Sequence, residues 1–352
     1  MPKKCCWRGL ILPNIPSKRF VAKMLHRNET YLLGILIVLI LTISLISPKF
    51  LTARNGFQIL KSYAYTGILS IGFLFVLIAG GLDISFTATA TAAQYIMALI
   101  LVSAPGTSPL LIILLPLLVG VALGSINALL IHKLGAPSII VAIANLNIYY
   151  GILQLASGGQ WLYDFPEWFQ QLGRAFIFKF TDSGGVTVGL SVLTGVWIIL
   201  AAAGFVILKH LRLGRRLYAL GGNLEASRRA GMNIFGLRIF AYGFLGFSAG
   251  LAGIVHALNT QTVAPNALVG KEFDVVAAVV LGGASIFGGA GTIGGTLIGV
   301  ALIAVITNAL TILKVASYWH QVFIGSVVLA SISITAFRTL LAKRSERTID
   351  VR

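Results

Sequence analysis

Polar and apolar positions alternate here on the scale of whole segments rather than of single residues. Long apolar runs are divided by short breaks of Gly, Pro, Asp, Lys and Arg. A bilayer core of about 30 Å needs about 20 apolar residues per helix. On that measure ten candidate spans are predicted: 30–47, 57–79, 85–103, 109–132, 138–156, 189–208, 237–258, 273–287, 292–313 and 318–337. Glycines interrupt the second and eighth, and Gly80 and Gly81 stand just before the third. A strand-built barrel would need alternating segments of about ten residues, and these runs are longer and uniformly apolar. The expected fold class is an all-α polytopic membrane protein of about ten transmembrane helices. The chain divides into a basic segment 1–29, a membrane domain 30–337 and a basic tail 338–352.

Composition agrees. Hydrophobic residues are 57% and charged residues 11% of 352, with mean hydropathy +0.92. A soluble domain carries roughly a quarter charged residues, so water cannot be the main solvent. The net charge of +17 fits basic loops against an anionic membrane face rather than nucleic acid. With both termini cytoplasmic, 20 of the 27 Lys/Arg fall on the inner side and 7 on the outer side. That split sets the orientation. It places 157–188 outside as an aromatic-rich interfacial hairpin or short helix, and 209–236 inside. Cys5 and Cys6, the two cysteines, are read as a reduced, incidental pair. No cleaved signal peptide is expected before the run at Tyr31.

A weak internal repeat is visible. Gly120-Val121-Ala122-Leu123 recurs as Gly299-Val300-Ala301-Leu302, and Asn127-Ala128-Leu129 as Asn308-Ala309-Leu310. Gly80-Gly81 echoes Gly282-Gly283. The copies have opposite expected topology, as in inverted-repeat transporters. Glycines four apart, Gly291/Gly295/Gly299, Gly246/Gly250 and Gly120/Gly124, suit close helix packing.

Gly289 to Gly294 spells G-x-G-x-x-G, but no strand precedes it and no acid stands 20 residues on, so it is no dinucleotide site. There is no P-loop, no H-E-x-x-H and no Cys/His cluster, and the five histidines are scattered. Ionisable residues are scarce within the spans. Asp83, Glu272 and Asp274 sit at helix ends: Asp83 is expected to cap the helix that follows, and Glu272 and Asp274 to bias the N-terminus of a short helix. The chain thus offers a pathway without an energy source of its own. Asn127, Asn145, Asn147 and Asn308 stand inside spans, either as interhelical glue or lining a pathway for a neutral hydroxylated solute.

The basic segment 209–236 holds a short predicted helix between an N-cap at Asn223 and a glycine stop at Gly231. Its run resembles the cytoplasmic coupling region of ABC-importer permeases of the ribose/xylose/arabinose and autoinducer-2 type. Gly214, Arg215, Tyr218, Ala219, Gly221, Asn223, Ala226 and Gly231 occupy the matching places, and Glu225-Ala226-Ser227 is similar to the general E-A-A motif. Ala79-Gly80-Gly81-Leu82-Asp83-Ile84-Ser85 resembles the family's G-G-I-D-L-S turn. Phe273 to Gly289, containing Gly282 and Gly283, is similar to its D-A-I-A-A-V-V-L-G-G segment. Phe86-Thr87-Ala88 departs from the usual V-G-S.

The resemblance implies a bacterial inner-membrane permease subunit without enzymatic activity. It would work beside a second permease chain, identical or related. Two cytoplasmic ATPases would use ATP and Mg²⁺, and an external solute-binding protein would deliver a monosaccharide-like cargo. Gly214, Arg215, Tyr218, Asn223, Glu225, Ala226 and Gly231 would form the ATPase-coupling face. The residues alone leave open a secondary transporter of a small polar solute, or a membrane enzyme.

Overall fold

The structure is a computed structural model that describes residues 28–181, 185–316 and 318–326, with positions 329 and 333. Cys5, Cys6, most of the segment 1–29 and the tail 338–352 lie outside the described residues, as does part of the tenth candidate span.

The helices in chain order are α1 (Asn28–Ile46), α2 (Ala53–Ser62), α3 (Ala64–Ile78), α4 (Phe86–Ser103), α5 (Pro109–Leu134) and α6 (Ser138–Ser157). After α7 (Glu167–Arg174) come strands β1 (Phe176–Thr181) and β2 (Thr187–Ser191). Then follow α8 (Val192–His210), α9 (Arg212–Gly222), α10 (Leu224–Arg229), α11 (Ile234–Thr260), α12 (Glu272–Leu281) and α13 (Ile293–Ile312). Among the described residues, seven helices are long and apolar enough to cross a membrane, and α2 with α3, bent by 48°, makes up to eight. The chain is a helical, multi-pass membrane protein.

Among the described residues the expected ten are not all found: part of the tenth candidate lies outside them, and the eighth falls short for a local reason. The candidate 273–287 contains only the ten-residue α12; the chain then turns through Gly283, Gly288, Gly289 and Gly291, all at positive φ. An L side chain rarely adopts such angles, so the segment ends as a half-helix and loop. The candidate 57–79 is broken at Tyr63 between α2 and α3.

α3 is the centre of the bundle. Nearly all of its residues are fully buried, as expected of a helix apolar on every side, and α11, α12, α8 and α13 surround it. α5 and α11 cross backbone to backbone: a Cβ at Gly120 would run into the Gly246 carbonyl, and one at Gly250 into that of Pro116. α13 meets α12 likewise, Gly295 against the Gly282 carbonyl and Gly299 against that of Ala278. Small residues allow this approach where no hydrophobic force draws helices together. Gly291 precedes α13 and takes no part in that helical face.

The segment 157–188 contains both expected forms, the amphipathic α7 and the antiparallel β1–β2 hairpin. α7 buries Phe169 and Gly173, while β1 is exposed throughout. Phe178 and Phe180 stack 6.1 Å apart, each edge-on to Phe57 of α2.

Candidate functional site

Two turns close apolar helices with one geometry. At the end of α3, Gly80 N–H bonds Leu77 O and Gly81 N–H bonds Val76 O, with Gly80 at φ +78°. At the end of α12, Gly283 N–H bonds Val280 O and Ala284 N–H bonds Val279 O, with Gly283 at φ +88°. Both are Schellman turns. Gly80 therefore corresponds to Gly283, one residue displaced from the pairing of Gly80-Gly81 with Gly282-Gly283. Gly282 faces α13 instead. The repeated Asn residues meet different kinds of partner, described next.

Beyond the first turn lies a buried polar network. Asp83 is 2% exposed, Asn127 1% and Asn145 4%. The Asp83 carboxylate accepts from Ser85 N–H at 2.8 Å and Ser85 Oγ at 2.7 Å through Oδ1, and from Asn127 Nδ2 at 2.9 Å through Oδ2. Asn127 Nδ2 also donates to Ser85 Oγ at 2.6 Å. Asn127 Oδ1 accepts from Asn145 Nδ2 at 2.6 Å and Tyr149 OH at 3.0 Å. Leu82 N–H donates to Ser138 Oγ at the start of α6. The α3–α4 turn is thereby bonded to α5 and α6. Asp83 makes an Asx turn onto Ser85 rather than bonding the first turn of α4, whose positional cap, Ser85, makes no side-chain cap bond.

Asn308 and Asn55 exchange amide bonds of 2.9 and 3.0 Å, tying α13 to α2. Asn147 is exposed and bonds Ile143 O on its own helix. The four intramembrane asparagines therefore do not converge on one surface. Ser85, Tyr149 and Asn55, which sequence reasoning passed over, complete their bonds, and Ser138 takes the Leu82 N–H. The available signal for Tyr149 was its spacing four residues after Asn145.

Glu272 and Asp274 begin α12 as expected. Glu272 accepts from Thr87 Oγ1 and Gly270 N–H, so Thr87, where the sequence departs from the V-G-S pattern, bonds α4 to α12. Asp274 pairs with Lys271 at 3.5 Å.

The segment 209–236 contains two helices, not one. α9 was legible in Leu213, Leu217 and Leu220, which recur at helical spacing; Leu217 and Leu220 are buried. A Cβ at Gly214 would run into the last turn of α8, so the two helices meet at Gly214 while Arg215 stays exposed. Tyr218 OH donates to Gly291 O at 2.6 Å. Burial raises the Tyr218 pKa, which keeps the phenol a donor.

α10 has the expected ends. Asn223 Oδ1 accepts from Ala226 N–H at 2.9 Å. Gly231, at φ +72°, closes a third Schellman turn through Met232 N–H to Ser227 O. Ser227 points inward, whereas Glu225, Ala226, Arg228 and Arg229 are exposed. Glu225 lies 3.8 Å from Arg228 and 3.4 Å from Arg229. At these exposures such pairs contribute little to stability. Beside α10, a cleft of about 520 Å³ is lined by His132, Asn233, Phe235, Arg228 and Arg238 among others.

A family model described as branched-chain amino acid transport system / permease component matches residues 55–332. The chain belongs to this family of permeases. Among relatives of the permease, the ribose import permease protein RbsC of Escherichia coli K12 is 30% identical over 324 residues, 91% of this chain and 97% of the relative. RbsC of Bacillus subtilis 168 is 32% identical over 299 residues, 84% and 89% respectively. The autoinducer 2 import system permease protein LsrC of Yersinia pestis Pestoides F is 30% identical over 304 residues, 86% and 83%. No solved structure matches the permease. The resemblance read from three motifs is thus borne out across nearly the whole chain.

Proposed function

We propose that the permease is the translocation subunit of a binding-protein-dependent ABC importer carrying a monosaccharide-like polar solute: a sugar, a sugar alcohol or an autoinducer-2-like furanose. The observation that carries this reading is α10. It is a short helix capped at both ends, exposed on Glu225, Ala226, Arg228 and Arg229, and set between α9 and the membrane helix α11. Such a knob suits a groove in a partner protein. The cargo class rests on the relatives' names.

Two cytoplasmic ATPases, using ATP and Mg²⁺, push on α10 in two permease chains, identical or related. An external solute-binding protein delivers the cargo, and no cofactor is proposed for this chain. Gly214 and Asn223 hold the knob's base and cap, Arg215 and Glu225 offer it charge, and Gly231 stops it. Both termini are cytoplasmic, which follows from the Lys/Arg split. The pathway runs between permease chains. Asn127, Asn145 and Asn308 hold helices together, and Asn147, the exposed member of the four, is placed to meet a solute or a second chain.

The test is Ala226→Trp. The indole overpacks the groove at a cost of about 1–3 kcal/mol, while every spanning helix is untouched. The variant should insert normally, then lose its ATPase on gentle purification or take up ribose slowly with hydrolysis uncoupled. Parental uptake with the ATPase normally bound defeats this reading.

A further inference from the structure

Three stretches of backbone far apart in sequence meet where α10 begins. Gly289 N–H donates to Ile78 O at 3.0 Å, joining the loop after α12 to the end of α3. The end of α9 enters the same point. A Cβ on Gly221 would run into Ile78 O and lie 2.6 Å from Gly289 N and 2.9 Å from Gly80 N. A Cβ on Gly80 would lie 3.1 Å from Gly221 Cα, and one on Gly288 2.6 Å from Gly80 Cα and 2.9 Å from Gly221 O. Gly80 and Gly288 also need positive φ, +78° and +93°. Tyr218 adds a side-chain strut to the same loop through its bond to Gly291 O.

The position of this contact matters. Gly221 stands two residues before Asn223, the cap of α10. Gly80 forms the turn that ends α3 and stands three residues before Asp83, through which the turn is bonded to α5. Gly288 lies in the loop that separates the half-helix α12 from α13. Backbone touching backbone leaves no side-chain rotamer to absorb a displacement, because close-packed interiors transmit strain.

We propose that Gly80, Gly221 and Gly288 form the joint that passes a displacement of α10 to the breaks in two membrane helices, with Tyr218 as its strut. The proposal rests on the reading of α10 as the ATPase contact. These are positioning residues, and none needs to touch the cargo. Spatial contiguity must be matched by demonstrated coupling, so the test follows motion rather than stability.

Phe287, 92% exposed in the loop after α12, serves as the reporter. In a background with Cys5 and Cys6 replaced by Ser, Phe287→Cys is introduced and the permease is purified with its ATPase. The rate of maleimide labelling is compared with and without Mg·ATP. The expected result is a nucleotide-dependent change that disappears in Gly221→Ala and in Tyr218→Phe, with the ATPase still bound. Gly222→Ala is the control, since a Cβ there meets nothing within 4 Å, and it should keep the parental response. The loss should reach about tenfold in ribose uptake, within the usual range of coupling between sites.

A structural role alone would lower the yield or melting point of the variants and leave the nucleotide response of the surviving complex intact. That result overturns the joint, as does a parental complex whose labelling ignores nucleotide. Should Gly221→Ala fail to accumulate, Tyr218→Phe decides alone, and an unchanged response in it defeats the proposal. Failure of the underlying reading looks different: no ATPase accompanies the parental permease, before any variant is made.

Discussion

Asp83 orients a chain of amides, and replacing it by Asn exposes that role. Every group bonded to the carboxylate donates to it: Ser85 N–H, Ser85 Oγ and Asn127 Nδ2. Because Asp83 takes Nδ2 of Asn127, the amide oxygen of Asn127 is left to accept from Asn145 and Tyr149. In Asp83→Asn the two bonds to Oδ1 survive. The new amide nitrogen then faces Asn127 Nδ2, donor against donor. Turning Asn127 over would only move the conflict to Asn145.

A hydrogen bond to a charged group contributes about 1.5–3 kcal/mol in water-soluble proteins, and an orphaned buried donor costs about 1–3 kcal/mol. Interhelical bonds in membranes average nearer about 0.6 kcal/mol, with a maximum of about 1.7, because the unfolded chain finds partners in lipid too. The membrane scale sets the floor, and Asp83→Asn should cost about 0.6–3 kcal/mol. Exchanging the two residues supplies the control. In Asp83→Asn with Asn127→Asp, the amide at position 83 donates to the carboxylate at 127, which still accepts from Asn145 and Tyr149. Only the bond into Ser85 Oγ is lost. The exchange should recover at least half of the single variant's loss, a coupling energy of about 0.5–3 kcal/mol in a double-mutant cycle. Denaturant titration in detergent, with size-exclusion recovery after heating, reads all four proteins. If Asp83→Asn is as stable as the parent and the exchanged pair is worse, the carboxyl group is neutral in the fold and does not set the direction of the network.

Two shorter expectations accompany it. Thr187→Cys, exposed at the start of β2, should react with an impermeant thiol reagent on intact cells; labelling only after lysis would reverse the proposed topology. Asn55→Ala and Asn308→Ala should each destabilise by about 0.5–1.7 kcal/mol, and the double variant by little more than either. Additive losses in that cycle would show that the two amides do not act as a pair.

What the sequence determined by itself is what depends on neighbours along the chain. Apolar run length and Lys/Arg distribution identify a polytopic helical protein. Asn223 and Gly231 mark the ends of α10 because capping is local chemistry. The glycine pairs at spacing four on α5 and α11 announce a close crossing. The tertiary structure decided what depends on partners distant in sequence. Which amide answers Asn308 could not be read, since Asn55 lies 253 residues away. Asp83 at a helix end reads as a cap until the fold brings Asn127 against its other oxygen. The run 273–287 is apolar enough to read as a span, yet glycines at positive φ bend it out of helix. Gly80, Gly221 and Gly288 each look like ordinary turn residues. Only the fold reveals that they touch, because contact between distant backbones leaves no periodic signature in either strip of sequence.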